Sequence, residues 1–221
     1  MKMTDALIRR KSTRAFLSKA VEIEKIKRIL NAARHAPSGA NTQPWQVAVV
    51  MGDKKYKLEQ LIENAFRSGV KPKMDYQYYP FEWREPYKER RKATGVQLYT
   101  ALGITREDKT KRLDQWAANY RAFDAPVMLL FFMDPVMQTG SFVDYGAFLQ
   151  SIMLAAIDEG LASCPQAALG EYPKIIKEVL GYPDESILIC GMALGYEDTK
   201  AQVNSYRTPR EEIDSFTRFF E

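Results

Sequence analysis

At 221 residues and 46% hydrophobic composition, the chain can bury a substantial core and is not a disordered segment. Its net charge of +4 is unevenly spread: residues 1–34 hold ten Lys/Arg against three acids, net +7, which leaves −3 for the remainder. A single histidine and two widely separated cysteines exclude a multi-histidine metal site, a CxxC redox centre and a disulfide scaffold.

The basic N-terminal region implies an anionic partner, either nucleic acid or a phosphorylated small molecule. With so few nucleophilic or metal-binding side chains, any catalysis falls to a bound cofactor. The longest apolar run, Pro126 to Met133, is strand-sized and too short to span a bilayer. Residues 1–5 lack the apolar stretch of a signal peptide, so the cytoplasm is the expected compartment.

Thr4 is placed to cap a short helix that ends in Arg9-Arg10-Lys11. Cations there complement the helix dipole, but the continuation Lys11-Ser12-Thr13-Arg14 exceeds that need. Guanidiniums interleaved with hydroxyls, and no acid nearby, make a set suited to phosphate. Ile23, Ile26, Ile29, Leu30 and Ala33 recur at helical spacing, so Val21 to Arg34 reads as an amphipathic helix with His35 at its end. The stretch Ala36-Pro37-Ser38-Gly39-Ala40-Asn41-Thr42-Gln43-Pro44-Trp45 then forms a loop with two amides and two hydroxyls but no charge. Ordinary helix-to-strand turn chemistry accounts for it, and so does recognition of a flat, neutral, hydrogen-bonding ligand. Gln46 to Val50 reads as a buried strand.

Gly52-Asp53 opens a second amphipathic helix that ends near Gly69. Residues 70–92 mix aromatics, prolines and charges without period, which predicts an irregular excursion serving as a lid or a subunit contact. Its four acids, Asp75, Glu82, Glu85 and Glu89, argue against stacking on nucleic acid. Residues 93–121 read as helical, with a break at Leu102-Gly103-Ile104 and a cap at Thr105. Pro126 to Met133 is a second strand and Phe142 to Ile157 an apolar, central helix. From Gly160 to Leu169 small side chains either admit a flat ligand close to the backbone or make a plain strand and turn. Pro173 to Leu180 is a short helix closed by Gly181, and Ser186 to Leu194 a third strand. The tail, residues 204–221, adds Arg207 and Arg210, then Ile213, Phe216, Phe219 and Phe220, an aromatic set that calls for a partner surface. No Gly-x-Gly-x-x-Gly and no P-loop is present, so a doubly wound dinucleotide fold is not supported.

Taken in order, five features resemble the FMN-dependent nitroreductase family over almost the whole chain. They are Arg9 to Phe16, Ala36 to Trp45, Gly160-Leu161 through Leu169, Cys190 to Tyr196, and the pair Arg207/Arg210. The resemblance implies a single α+β domain over residues 1–221, with a central mixed β-sheet flanked by helices, and an intertwined homodimer binding FMN at its interface. It implies that Arg10, Ser12 and Arg14 hold the FMN phosphate and that Arg207 or Arg210, the latter favoured, completes the site. Pro37, Ser38 and Asn41, with Gln43 nearby, would approach the flavin of the other subunit. Pro165, Gln166, Ala167 and Ala168 would lie near the flavin N5 and O4 edge. Some relatives carry Glu-Gly where Ala167-Ala168 stands, so the role there belongs to the backbone. The implied activity is ping-pong electron transfer from NADH or NADPH through FMN to nitroaromatics or quinones. Alternatives are a reductive dehalogenase or flavin-storage protein of the same fold, or a non-catalytic, basic nucleic-acid-binding or adaptor protein.

Overall fold

β2 (Val127–Met133) is apolar at all seven positions, and all seven side chains are buried. A strand apolar on both faces needs covering on both. In the computed structural model, which describes residues 2–221, β2 lies between β1 (Gln46–Met51) and β4 (Ile187–Gly195), and β3 (Ala162–Gln166) borders β4. All three ladders are antiparallel, and the parallel component expected of a mixed sheet is confined to one isolated bridge, Ser12 to Ser163.

Alternate residues of β2 point to opposite faces. Val127, Leu129, Phe131 and Met133 share a core with Ile26 and Ile29 of α2 (Ile23–Ala33) and with Phe148 and Ile152 of α6 (Ser141–Asp158). Met128, Leu130 and Phe132 join Leu58 and Ile62 of α3 (Gly52–Arg67) and Ile176 of α7 (Pro173–Leu180) in a second. The result is the expected α+β architecture, with helices on both faces of the sheet. Trp45 stacks on Phe148 at 4.6 Å and so fixes the loop before β1 to the first core.

Two local expectations change. α1 (Met3–Arg9) starts before Thr4, because the Asp5 and Ala6 amides already donate to the Lys2 carbonyl. Thr105 is no cap; Asp108, at the start of α5 (Lys109–Ala117), accepts from its amide at 2.9 Å and its hydroxyl at 3.1 Å. The irregular excursion runs to residue 86, beyond which α4 (Tyr87–Ala101) takes over. Its first part is anchored: the Lys73 amide donates to the Glu171 carbonyl, and the Tyr76 hydroxyl donates to the Ile189 carbonyl at 2.7 Å.

Lys55 and Glu59, one turn apart on α3, form an ion pair that is almost wholly buried. Burial pushes the Glu59 carboxyl up from 4.5 to about 7, with Asp124 adding to the rise and Lys55 and Arg121 opposing it. The folded chain therefore holds this proton more tightly than the unfolded chain. The stability it contributes is complete below about pH 4.5 and is lost as pH rises through 7, roughly 2–4 kcal/mol in all. Urea unfolding at pH 5 and pH 8 should show that decline in the parent protein and a flatter profile for Glu59→Gln. An identical pH dependence in both would remove Glu59 as its source.

Candidate cofactor site

The two ends of the chain meet beside β3. Asn204, buried, accepts the Arg14 amide on Oδ1 at 2.8 Å and donates through Nδ2 to the carbonyls of Ala15 and Asp198, both at 2.9 Å. Arg207 donates to the carbonyls of Ile8, Arg9 and Arg10 at the C-terminal end of α1. Those carbonyls are the orphan acceptors of a helix end, and a guanidinium suits them in both hydrogen bonding and charge.

This clamp assembles a cavity of about 430 Å³ whose walls include Arg10, Ser12, Arg14, Arg207 and Arg210. All five residues assigned to the phosphate site are therefore brought together. Lys11, Thr94 of α4, Tyr206 and Thr208 also line it, and no carboxylate does. Arg10 loses affinity for its proton through burial and through repulsion by Arg210 and Arg207. Cations massed this closely with no acid among the walls form a site for a multiply charged anion.

The cations divide the work. Lys11 is engaged by Glu197 at 2.7 Å and by the Asn204 carbonyl at 2.6 Å. Arg207 is committed to the α1 carbonyls. Among the described residues Arg210 hydrogen-bonds within its own turn, to the Thr208 carbonyl and hydroxyl at 3.0 Å and the Pro209 carbonyl at 2.9 Å. Arg14 makes long contacts to the Ser12 carbonyl at 3.3 Å and the Tyr206 hydroxyl at 3.5 Å. Arg10, Arg14 and Arg210 are the cations best placed to turn to an incoming anion.

From the cavity the chain leads to a corner of small residues. The Thr13 amide donates to the Ser163 carbonyl at 3.1 Å, beside the Ser12–Ser163 bridge. Three residues on, β3 ends at Pro165-Gln166, and Ala167 and Ala168 start the 3-10 turn Ala167–Gly170. At strand rise, that is roughly 10 Å along the sheet edge. Gly191, opposite Gln166 in the ladder, admits the turn: a Cβ there would sit 2.5 Å from Leu169 Cδ1. The Gln166 side chain is turned inward, with Nε2 donating to the Asn119 carbonyl at 2.9 Å and to its Oδ1 at 3.3 Å, while Oε1 is buried with no hydrogen-bond partner among the described residues.

The loop residues Pro37, Ser38, Asn41 and Gln43 are not among the cavity's walls. They are mostly exposed, and the loop is held by its own bonds: Ser38 Oγ accepts the Gln43 amide at 2.9 Å, and Asp144 accepts the Gly39 amide at 3.0 Å. Ala40, Asn41 and Gln43 have φ of 49°, 56° and 48°. Three left-handed residues without a glycine cost conformational energy, as does the run Ala122–Asp124 before β2. Within one chain, then, the structure gathers the phosphate set and leaves the loop apart from it. Among the described residues no group of His, Cys, Asp and Glu could hold a metal ion. No described helix is long and apolar enough to cross a membrane.

A sequence model of the Nitroreductase family matches residues 7–196. The chain is 39% identical over 219 residues to the chloronitrobenzene nitroreductase of Comamonas testosteroni, covering 97% of this chain and 96% of that protein. It is 37% identical over 211 residues to the 4-nitrobenzoate reductase of Pseudomonas putida, covering 95% and 92%. The crystal structure of the FMN and NADPH-dependent nitroreductase NfnB from sphigopyxis sp. strain HMH superposes with a TM-score of 0.97 at 37% identity, covering 100% of both chains.

Proposed function

The chain belongs to the nitroreductase family, and from that premise we propose that it is an FMN-dependent oxidoreductase using NADPH to reduce nitroaromatic or quinone acceptors. The acid-free cavity lined by Arg10, Ser12, Arg14, Arg207 and Arg210 carries this reading, because it fits a phosphate-bearing cofactor. Arg10, Ser12, Arg14 and Arg210 would hold the FMN phosphate, and Arg207 would fix the α1 end that presents them. When bound, FMN supplies acceptance of a hydride from the nicotinamide and delivery of two electrons to the acceptor.

The chain's own residues hold and position the cofactor. The cationic wall stabilises the negative charge of the phosphate it would hold. The backbone of Pro165 to Ala168 would lie along the ring edge, and small side chains there permit close approach. Pro37, Ser38, Asn41 and Gln43 would serve the cofactor of a second copy, consistent with their separation from the cavity in one chain. The tail supports such a homodimer: Phe216, Phe219 and Phe220 are 72%, 79% and 89% exposed, far more apolar surface than a lone chain favours. The whole chain acts as one domain, and the free, buried Cys164 and Cys190 suit the cytoplasm. The nucleic-acid alternative is disfavoured because Arg10, Lys11 and Arg14 converge with Arg207 and Arg210 on a cavity.

Purified protein should be yellow. Its flavin absorbance should bleach with NADPH under anaerobic conditions and return on adding a nitroaromatic. A colourless preparation that also fails to take up added FMN would overturn the reading.

A further inference from the structure

We propose that Arg90 is a positioning residue for FMN binding: it holds the Glu211 carboxylate away from Arg210 and so keeps the phosphate cavity free of acid. This rests on the reading of that cavity as the FMN phosphate site.

α4 runs past the cavity and contributes Thr94 to its wall. The Thr94 hydroxyl donates back to the Arg90 carbonyl at 3.0 Å, one turn earlier on the helix. There Arg90 Nε meets Glu211 Oε1 at 2.9 Å, and the guanidinium lies 5.7 Å from the Tyr87 ring centroid. Glu211 directly follows Arg210, whose hydrogen bonds among the described residues go to Thr208 and Pro209. A carboxylate one residue from an acid-free cluster of arginines has a strong electrostatic reason to fold into it. Held by Arg90, it stays outside the walls.

The pair is about half exposed, 45% and 47%, and such pairs add little to stability. The C-terminal end of α4 lies against the 3-10 turn Gln202–Asn204, a contact separate from the pair. The effect of Arg90 therefore falls on charge at the cavity. Loss of Arg90 frees a competing anion, whereas loss of Glu211 frees a cation that strengthens the field.

FMN titration by flavin fluorescence quenching on the full-length apoprotein separates a charge role from a strut. At low salt, Arg90→Gln should bind FMN about fivefold more weakly, and added salt should shrink the deficit. Glu211→Gln should bind at least as tightly as the parent, and the double variant should return to within about twofold of it. Weakening of all three variants alike would mean that the pair is only a strut and would overturn the inference. Unchanged affinity in Arg90→Gln would do the same. A parent protein that takes up no FMN defeats the cofactor reading itself, an outcome distinct from either.

Discussion

The Arg10→Ala/Arg14→Ala variant should fold, melt like the parent apoprotein, and release FMN. Each arginine stands for at least one charge-assisted bond to phosphate, worth about 1.5–3 kcal/mol. Together they amount to roughly 3–6 kcal/mol, or a 10²- to 10⁴-fold rise in Kd. Folding should not suffer, because neither guanidinium does much for the empty protein. Among the described residues the Arg14 guanidinium hydrogen-bonds at long distance to the Ser12 carbonyl and the Tyr206 hydroxyl, and Arg10 is repelled by Arg210 and Arg207. Removing Arg10 relieves that repulsion, so the melting temperature of the apoprotein should hold or rise. Fluorescence titration and thermal melting of the apoprotein test the two halves separately. A double variant that binds FMN within tenfold of the parent would remove these residues from the site. A variant that binds poorly only because it no longer folds would show a lowered melting temperature.

The contrast between those arginines and their neighbours shows what the sequence reveals and what it hides. Their residue types and the lack of nearby acid are visible in the linear order, and so is the run of buried positions in β2. The convergence is not, because no local pattern encodes a contact between Arg207 and the end of α1, almost the whole chain away. Asn204 escapes for the same reason: in sequence it is one more polar residue before the tail, while in the fold it stitches residues 14, 15 and 198 together. Thr94 lies on a helix without a clear apolar face, so periodicity gives it no orientation. Thr4 misleads because capping residues are read from type, whereas the helix start is set by the first backbone bonds to Lys2. The left-handed backbone at Ala40 and Gln43 is invisible because neither residue type favours it.

A buried lysine is the hardest of these to foresee, and its substitution should bring a measurable loss of stability. Lys177 on α7 is 3% exposed. Its ammonium donates to the Asp184 carbonyl at 2.8 Å and meets Asp75 Oδ2 at 2.9 Å, and that oxygen also accepts the Leu188 amide at 2.8 Å. One charge pair thus pins the start of the 70–92 excursion to α7 and to the first turn-side residues of β4. Lys177→Met keeps the volume and the apolar stem but leaves the Asp75 carboxylate without its cation. The ammonium is buried but the Asp75 side chain keeps 21% exposure, so the stranded carboxylate is partly rehydrated and the loss is about 1.5–3 kcal/mol, less than for a fully buried pair. Asp75→Asn added to Lys177→Met should recover part of that loss, because the asparagine still accepts the Leu188 amide and carries no charge. Asp75→Asn alone should also destabilise, by stranding the ammonium, so the two substitutions together should cost less than their sum. Urea unfolding measures the cycle. Trypsin cleavage after Lys73 measures release of the excursion, and it should speed up in Lys177→Met and slow again in the double variant. A Lys177→Met protein within 1 kcal/mol of the parent, with Lys73 still protected, would show that the apolar packing around α7 holds the excursion without the pair.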